Sequence, residues 1–582
     1  MGRSRRAWVQ HLLLVYVCVV VLLSQCECLS ERKLSEFEEV VKKALHCRNV
    51  PAASVTLVQD GKVLMKRSFG KADPEKNIHA KDDTKFCIGS LTKAFTSTIL
   101  AKLVTERKNV TFDTPIRDII GDSFKLSDDV RTNLVSLRDL LSHRVGVPAY
   151  FKALVVGFPE TVDRSEVVRR IRYMPATEPI RTKFMYSNYM YTLAGYVAER
   201  MTGKSWESLV EDYILTPLGM RNSGFIDRLF NFTNLALPVA TKHGKLTNLD
   251  PMLLHAVHPC GPAGSLYSTA ADMAKWVQLL LNNGKSDQGD QVFDPRVIAE
   301  TQEPGMAAPV LQDNLKRPTF PVGDVQMYYD MAWVTSLYRG FKLVWHSGGI
   351  ITHSSRLWLF PDKNVGIYAV VNGPQSHTKS LALRAIMSYA ADILLGEDPW
   401  LNTSTICSYP APWKEGFESA SPPTVTDTTT VTARPAQDYV GSYYHRGFGE
   451  IRVELKEDAA DTLRMTFGRF GKMNLYPQSE TMFHGRYYGP LWFMSDSDDQ
   501  FQPEIVEFVK NKDNRISGLI YSIDTQYNST MFSKGSYYPL ETLSTWTFAC
   551  PHTSSASVHS FSRGLLIITI LSSLYCHLRQ CV

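Results

Sequence analysis

The chain has 582 residues, 44% of them hydrophobic and 21% charged, with a formal net charge of +5 and no block of like charge. That length exceeds one hydrophobic core, so two domains are expected, and the weak charge balance excludes nucleic acid as an expected partner. No Cys/His cluster has metal-ligand spacing, and Cys47, Cys87, Cys260, Cys407 and Cys550 are too few and too scattered to set a disulfide framework.

Residues 1–28, MGRSRRAWVQHLLLVYVCVVVLLSQCEC, combine a basic start (Arg3, Arg5, Arg6), an apolar run from Leu12 to Leu23 and a Cys-x-Cys end. This is the outline of a secretory signal peptide, the run being short for a membrane span; an uncleaved signal anchor is the alternative. Secretion would open four Asn-x-Ser/Thr sites to glycosylation, at Asn109, Asn231, Asn402 and Asn528.

Residues 29–407 read as one α+β region. SEFEEVVKKALH has helical periodicity, and PAASVTLVQDGKVLMKRSFG is a pair of β-rich runs joined at Asp60-Gly61, a hairpin signal. A helix opening at Ser90 follows, then SNYMYTLAGYVAERMTGK and TAADMAKWVQLLLNNGK, the latter stopping at Gly284. Strand patterns return in FKLVWHSGG, SSRLWLFPD and VGIYAVVNG, before a last helix in KSLALRAIMSYAADILLGE. Strands at both ends with helices between predict one antiparallel sheet covered by helices. Residues 408–437 turn Pro/Thr-rich and read as a linker; residues 438–535, with short alternating runs such as GEIRVELKE and ISGLIYSID, read as a small all-β barrel or sandwich. The tail, 536–582, holds a weak apolar segment that faintly resembles a GPI-attachment signal, so cell-surface attachment stands beside free secretion.

Three motifs carry chemistry. Ser90 and Lys93 in FCIGSLTKAF lie one helical turn apart, on one face. A hydroxyl at a helix N-terminus sits near unpaired N–H groups, and a desolvated lysine beside it loses affinity for its proton and becomes a base. The spacing alone means little: Ser30 and Lys33 share it, and an N-capping serine with a snorkelling lysine explains it equally well. Tyr186-Ser187-Asn188 stands at a loop-to-helix junction. There a tyrosine lowered in pKa by a nearby lysine can relay a proton, and an asparagine can orient the lysine; a core tyrosine followed by a helix cap is the bland alternative. His346-Ser347-Gly348-Gly349 closes a β-run where side-chain-free backbone can approach a substrate and donate an N–H to an oxyanion. His445-Arg446-Gly447 repeats the pattern by chance in the β-domain.

In this order, Ser-x-x-Lys, Tyr-x-Asn and His-x-Gly resemble the serine β-lactamase and penicillin-binding-protein superfamily, in its class C and D-alanyl-D-alanine carboxypeptidase/esterase branch. LRDLLSHRVGVP, MTGKSWESLVEDYILTPLGMRNSGF and GPAGSLYSTAADMAKW extend the likeness over residues 40 to 395, and YVGSYYHRGFGEIRVELKE looks like the lipocalin-like barrel appended to some relatives. The resemblance implies Ser90 as the acylated nucleophile, Lys93 and Tyr186 sharing general-base and general-acid work, and Asn188 orienting. It also implies Ser90 and Gly349 as backbone donors to the oxyanion. His346, with Ser347 and Gly348, would bind a polar or anionic substrate group where many relatives carry lysine, its charge appearing only at low pH. It implies no cofactor, and a small-molecule or peptide-like ester or amide as substrate. Arg144-Val145-Gly146 stands where Thr-Ser-Gly is common, Pro179-Ile180 where Pro-Gly is common, and Cys87 where arginine is frequent. The expected protein is thus a secreted serine hydrolase. The competing reading is an extracellular-matrix or membrane-surface glycoprotein that kept the fold and lost turnover.

Overall fold

The computed structural model describes residues 31–308, 321–375, 377–413, 434–457, 459–496, 504–524 and 529–535. The expected signal peptide, the tail and the Asn528 site lie outside these residues. Asn109, Asn231 and Asn402 lie within them and are exposed.

Among the described residues nine antiparallel strands form the main sheet: β1 (Ala52–Gln59), β2 (Lys62–Asp73), β3 (Ile78–His79), β4 (Met306–Ala307), β5 (Asp324–Tyr329), β6 (Val334–Tyr338), β7 (Phe341–Ile350), β8 (His353–Phe360) and β9 (Val365–Val371). Their order is β3-β2-β1-β9-β8-β7-β6-β5-β4, so the N-terminal hairpin is zipped to the late strands through β1 and β9, with Ala53 opposite Val371 and Gln59 opposite Val365. The hairpin turn falls at Asp60-Gly61, both with positive φ, as that dipeptide favours.

Strand alternation divides the sheet between two cores. Val55 and Leu57 of β1, with Ile367 and Ala369 of β9, face α1 (Glu31–Cys47) and the long C-terminal helix of this region, which runs from His377 to Leu395. The opposite face carries Ser54 and Thr56, and Thr56 Oγ1 donates to Ala270 O at 2.8 Å, tying β1 to the start of a helix at Ala270–Leu281. On that side lies α2 (Thr92–Thr105), fully buried from Thr92 to Ala101, with apolar residues all round rather than in a stripe. A central helix of this kind desolvates any charge it carries. Gly89–Leu91 forms a 3₁₀ turn leading into α2, so Ser90 sits in that turn rather than at the first α-helical position.

The disulfide Cys47–Cys407 joins the end of α1 to a short turn at Thr405–Ser408. Packed structure then continues past the expected linker start: Tyr409 is buried, and Trp413 packs against Trp400 with ring centroids 4.9 Å apart. The described part of the α+β region therefore reaches Trp413 rather than ending at Cys407. The chain is described again from Arg434, whose guanidinium pairs with Asp438 and Glu480. Eight strands then close into an antiparallel barrel: β10 (Gly441–His445), β11 (Gly449–Lys456), β12 (Ala459–Phe467), β13 (Gly471–Pro477), β14 (Met482–Tyr487), β15 (Glu504–Lys510), β16 (Ile516–Tyr521) and β17 (Thr530–Lys534). Closure removes free sheet edges, and aromatic side chains, among them Tyr443, Phe467, Phe483, Phe508 and Phe532, fill the interior.

Candidate active site

Three segments that are distant in sequence converge on Ser90. Tyr186 hydroxyl donates to Ser90 Oγ at 2.8 Å, and Lys93 Nζ lies 3.1 Å from the same oxygen. Lys93 Nζ also donates to Asn188 Oδ1 and to Ala263 O, each at 2.7 Å. Two carbonyl-type acceptors thus hold two N–H bonds, and the remaining tetrahedral position of Nζ points at Ser90. Burial pushes the pKa of Lys93 well below the ordinary lysine value. In the neutral amine that remaining position is a lone pair, placed to accept the serine proton.

Asn188 opens the helix Asn188–Thr202, which ends at Gly203 in the left-handed conformation, the usual helix terminator. The phenol of Tyr186, set in the cleft floor with Lys93 Nζ 4.8 Å from its ring centre, is pushed up by burial rather than lowered by the lysine. It is a proton donor at neutral pH, which corrects the sequence-based expectation of a lowered pKa: a buried neutral lysine has no charge with which to stabilise a phenolate.

His346 departs further from expectation. Its Nδ1 lies 2.6 Å from Ser347 O and its Nε2 3.0 Å from the hydroxyl of Tyr329. The carbonyl requires Nδ1–H, so Nε2 accepts from the tyrosine. Burial lowers its pKa to about 3. Both ring nitrogens are committed and the ring is uncharged, so His346 does not supply a cation for a substrate carboxylate near neutral pH. Tyr329 was not foreseen; in MYYD nothing marks it except a place on a strand.

Gly89 has φ +54°, and a Cβ there would stand 2.6 Å from Gly349 N. Glycine permits that contact, which brings Ser90 and Gly349 to one wall of a cleft of about 580 Å³. Ser347 lines the same cleft, while Ser355 Oγ donates to Ile88 O at 2.7 Å and pins β8 beneath the Ser90 turn. Gly348 pairs with Ser355 in the β7–β8 ladder. A hydroxyl between a neutral amine and a phenol, beside two backbone amide positions, is an arrangement suited to acyl transfer. Among the described residues no cluster of His, Cys, Asp and Glu could hold a metal ion.

Residues 37–391 match the Beta-lactamase family. The chain belongs to that family of serine hydrolases. The unguisins hydrolase ungD' of Aspergillus campestris is 29% identical over 451 residues, 73% of this chain and 78% of that protein. Gigasin-6 of Magallana gigas is 29% identical over 281 residues, covering 47% of this chain and 91% of its own. The octameric penicillin-binding protein homologue from Pyrococcus abyssi aligns with a TM-score of 0.52 at 20% identity, over 86% of this chain and 100% of that one. D-amino acid amidase from Ochrobactrum anthropi has the same TM-score and identity over 63% of this chain and 98% of its own. These two structures share the fold.

Arg144 of the Arg144-Val145-Gly146 segment is linked to the loop that follows Pro179-Ile180. Arg144 Nε donates to Asp139 Oδ1 at 2.6 Å, and Arg181 grips the same carboxylate at 2.9 and 2.8 Å. Backbone bonds complete the stitch: Arg181 N–H donates to Arg144 O at 2.6 Å and Met185 N–H to His143 O at 2.7 Å. His143 Nδ1 accepts from Ser187 N–H at 3.1 Å, so this one residue holds the amides on both sides of Tyr186. Its ring packs 4.3 Å from the Tyr186 ring, and burial keeps it uncharged. His143 belongs to the segment LRDLLSHRVGVP, and only the folded loop shows its task. Replacing it by alanine is expected to slow acylation of Ser90 by about a hundredfold with KM little changed, and asparagine, which keeps an acceptor, to recover part of the rate. Single-turnover kinetics checks this; an unchanged rate in His143→Ala would remove the role.

Proposed function

We propose that the chain is a secreted serine hydrolase that opens ester or amide bonds in neutral substrates with apolar flanks, through an acyl-enzyme on Ser90. The observation that carries this reading is the hydrogen-bond set at Ser90 Oγ, with Lys93 and Tyr186 at 3.1 and 2.8 Å. As Oγ attacks the carbonyl carbon, its proton passes to Lys93 Nζ, and the developing oxyanion meets the Ser90 and Gly349 amides. Tyr186, kept protonated by burial, supplies a proton to the leaving group, and the Lys93 ammonium restores that proton to the network. Water then attacks the acyl-enzyme and returns Ser90. Asn188 holds Lys93 in register throughout.

The walls of the cleft support this substrate class. Phe151, Leu154, Val155, Phe184, Val334 and Trp345 line the cleft, and the imidazole at the lysine position of many relatives is uncharged. Lys379 reaches the cleft edge, where its ammonium donates to Thr352 O at 2.8 Å and Gln375 Oε1 at 3.0 Å. That the fungal relative is named a hydrolase supports turnover. The Cys47–Cys407 disulfide and three exposed glycosylation motifs support an oxidising, extracellular setting.

The test is a panel of p-nitrophenyl esters and matched amides, neutral or carrying a carboxylate, offered to the purified full chain. Neutral apolar esters are expected to exceed their carboxylate analogues in kcat/KM by about tenfold or more, with KM flat between about pH 5 and 8 because His346 stays uncharged there. A preference for carboxylates that vanishes in Lys379→Met would overturn the neutral-substrate assignment. Silence toward the whole panel, with no acyl-enzyme mass, would favour the scaffold reading.

A further inference from the structure

One wall of the Ser90 cleft is built on a segment that does not hold itself in place. The helix α3 (Phe151–Val155) has five residues, too few for a helix to persist unaided, and its N-cap, Tyr150, is a non-glycine residue at φ +45° with no capping side chain. Ala149, Phe151, Leu154 and Val155 line the cleft, and Phe151 is 57% exposed at its lip.

The Tyr150 hydroxyl donates to Pro175 O within the α+β region, and the backbone bonds at both ends of this segment come from the C-terminal barrel. At the start, Tyr150 N–H donates to Asp524 Oδ2 at 2.8 Å and Lys152 N–H to Ile523 O at 3.1 Å. At the end, Phe470 N–H donates to Val156 O at 2.8 Å and Arg469 N–H to Gly157 O at 2.9 Å. Lys152 Nζ pairs with Glu504 of β15, and the Tyr150 ring packs on Phe448 at 4.8 Å. The turn between β12 and β13 can come this close because residue 468 is glycine at φ +64°, where a Cβ would stand 2.3 Å from Gly157 O. The backbone groups that a short helix leaves without partners are thus met by a domain contributed from more than 300 residues downstream.

We infer that the barrel is a working part of the substrate pocket: by bonding both ends of α3 it fixes Phe151, Leu154 and Val155 as an apolar wall and thereby sets which acyl groups the cleft accepts. The inference rests on the hydrolase reading for its substrate readout and on geometry alone for the support of α3. Asp524 touches neither Ser90 nor the cleft and acts through α3.

The experiment uses the full chain carrying Asp524→Ala, with the milder Glu504→Gln as second variant, each confirmed as folded by thermal unfolding. Amide hydrogen exchange across residues 149–157 is expected to quicken by about tenfold or more in Asp524→Ala, with the α2 amides unchanged. The kcat/KM ratio of p-nitrophenyl octanoate to p-nitrophenyl acetate is expected to fall by about fivefold, Glu504→Gln moving it the same way to a smaller extent. Labelling of Ser90 by a small fluorophosphonate stays within about twofold of wild type, because the serine itself is untouched. Unchanged exchange in both variants would overturn the support of α3, and quickened exchange with an unchanged ester ratio would overturn its role in selection. Wild-type protein that leaves every ester intact would instead sink the hydrolase reading, and the exchange result would still decide whether the barrel holds α3.

Discussion

Replacing Lys93 by methionine is expected to slow acylation of Ser90 by about a thousandfold while the chain stays folded. Methionine matches the length of the side chain and suits a buried position, but offers no lone pair to the serine proton. The loss of donors to Asn188 Oδ1 and Ala263 O costs about 1–3 kcal/mol. An opposing effect follows from the lowered pKa of Lys93. Between its folded value and the ordinary lysine value the unfolded chain binds a proton that the folded chain does not, so wild-type stability rises with pH over that window. Lys93→Met should lose that slope, and denaturant titrations at several pH values read it directly. The acylation rate of the wild type carries the matching signature: full where Lys93 is neutral, falling as pH drops through its lowered folded value. A Lys93→Met variant that acylates at the wild-type rate would remove lysine from the chemistry.

The second large effect is on stability. Asp139 is fully buried in the helix Leu137–Leu141, where Ser136 and Asp139 form a capping box. Burial alone would raise its pKa, but hydrogen bonds from Arg181 and the charge and hydrogen bond of Arg144 outweigh it, and the net shift is downward. Asp139→Ala leaves two guanidinium groups without their carboxylate and is expected to destabilise the chain by about 3 kcal/mol. The value sits at the low end for a broken buried pair because Arg181 is near the surface and can turn to water. Being lowered on folding, the Asp139 carboxyl contributes stability that is complete above its unfolded pKa and is lost as pH falls through the folded value. The stability gap between wild type and Asp139→Ala should therefore narrow in acid. The same substitution loosens the stitch that carries Tyr186, so activity should fall with stability; a melting temperature unchanged at neutral pH would refute the assignment.

Much of the candidate site's geometry was legible in the sequence because the residues it brings together lie in short motifs. Ser90 and Lys93 needed only one helical turn, Tyr186 and Asn188 only a helix start, and His346 to Gly349 only a strand end. What those residues do depends on groups far away in the chain. The phenol of Tyr186 and the imidazole of His346 are governed by burial and, for His346, by Tyr329 on another strand. Arg144 stands in one of the departures from the family pattern, Arg181 carries no mark in the sequence, and only the fold brings both onto Asp139. The sheet followed from strands at both ends of the region, and the barrel from its alternating runs. The Cys47–Cys407 pairing and the packing of Tyr409 and Trp413 are tertiary facts that spacing does not encode. The support of α3 by the barrel is the extreme case, since FKALV carries no sign that its partners lie at Arg469, Phe470, Ile523 and Asp524.

The central claim is that Ser90 is a nucleophile activated by a neutral Lys93. Intact-mass analysis and peptide mapping of the full chain after reaction with a fluorophosphonate test it most directly. The account predicts one adduct, on Ser90, absent in Ser90→Ala and formed about a thousandfold more slowly in Lys93→Met. An adduct that persists at full yield in Ser90→Ala would contradict it.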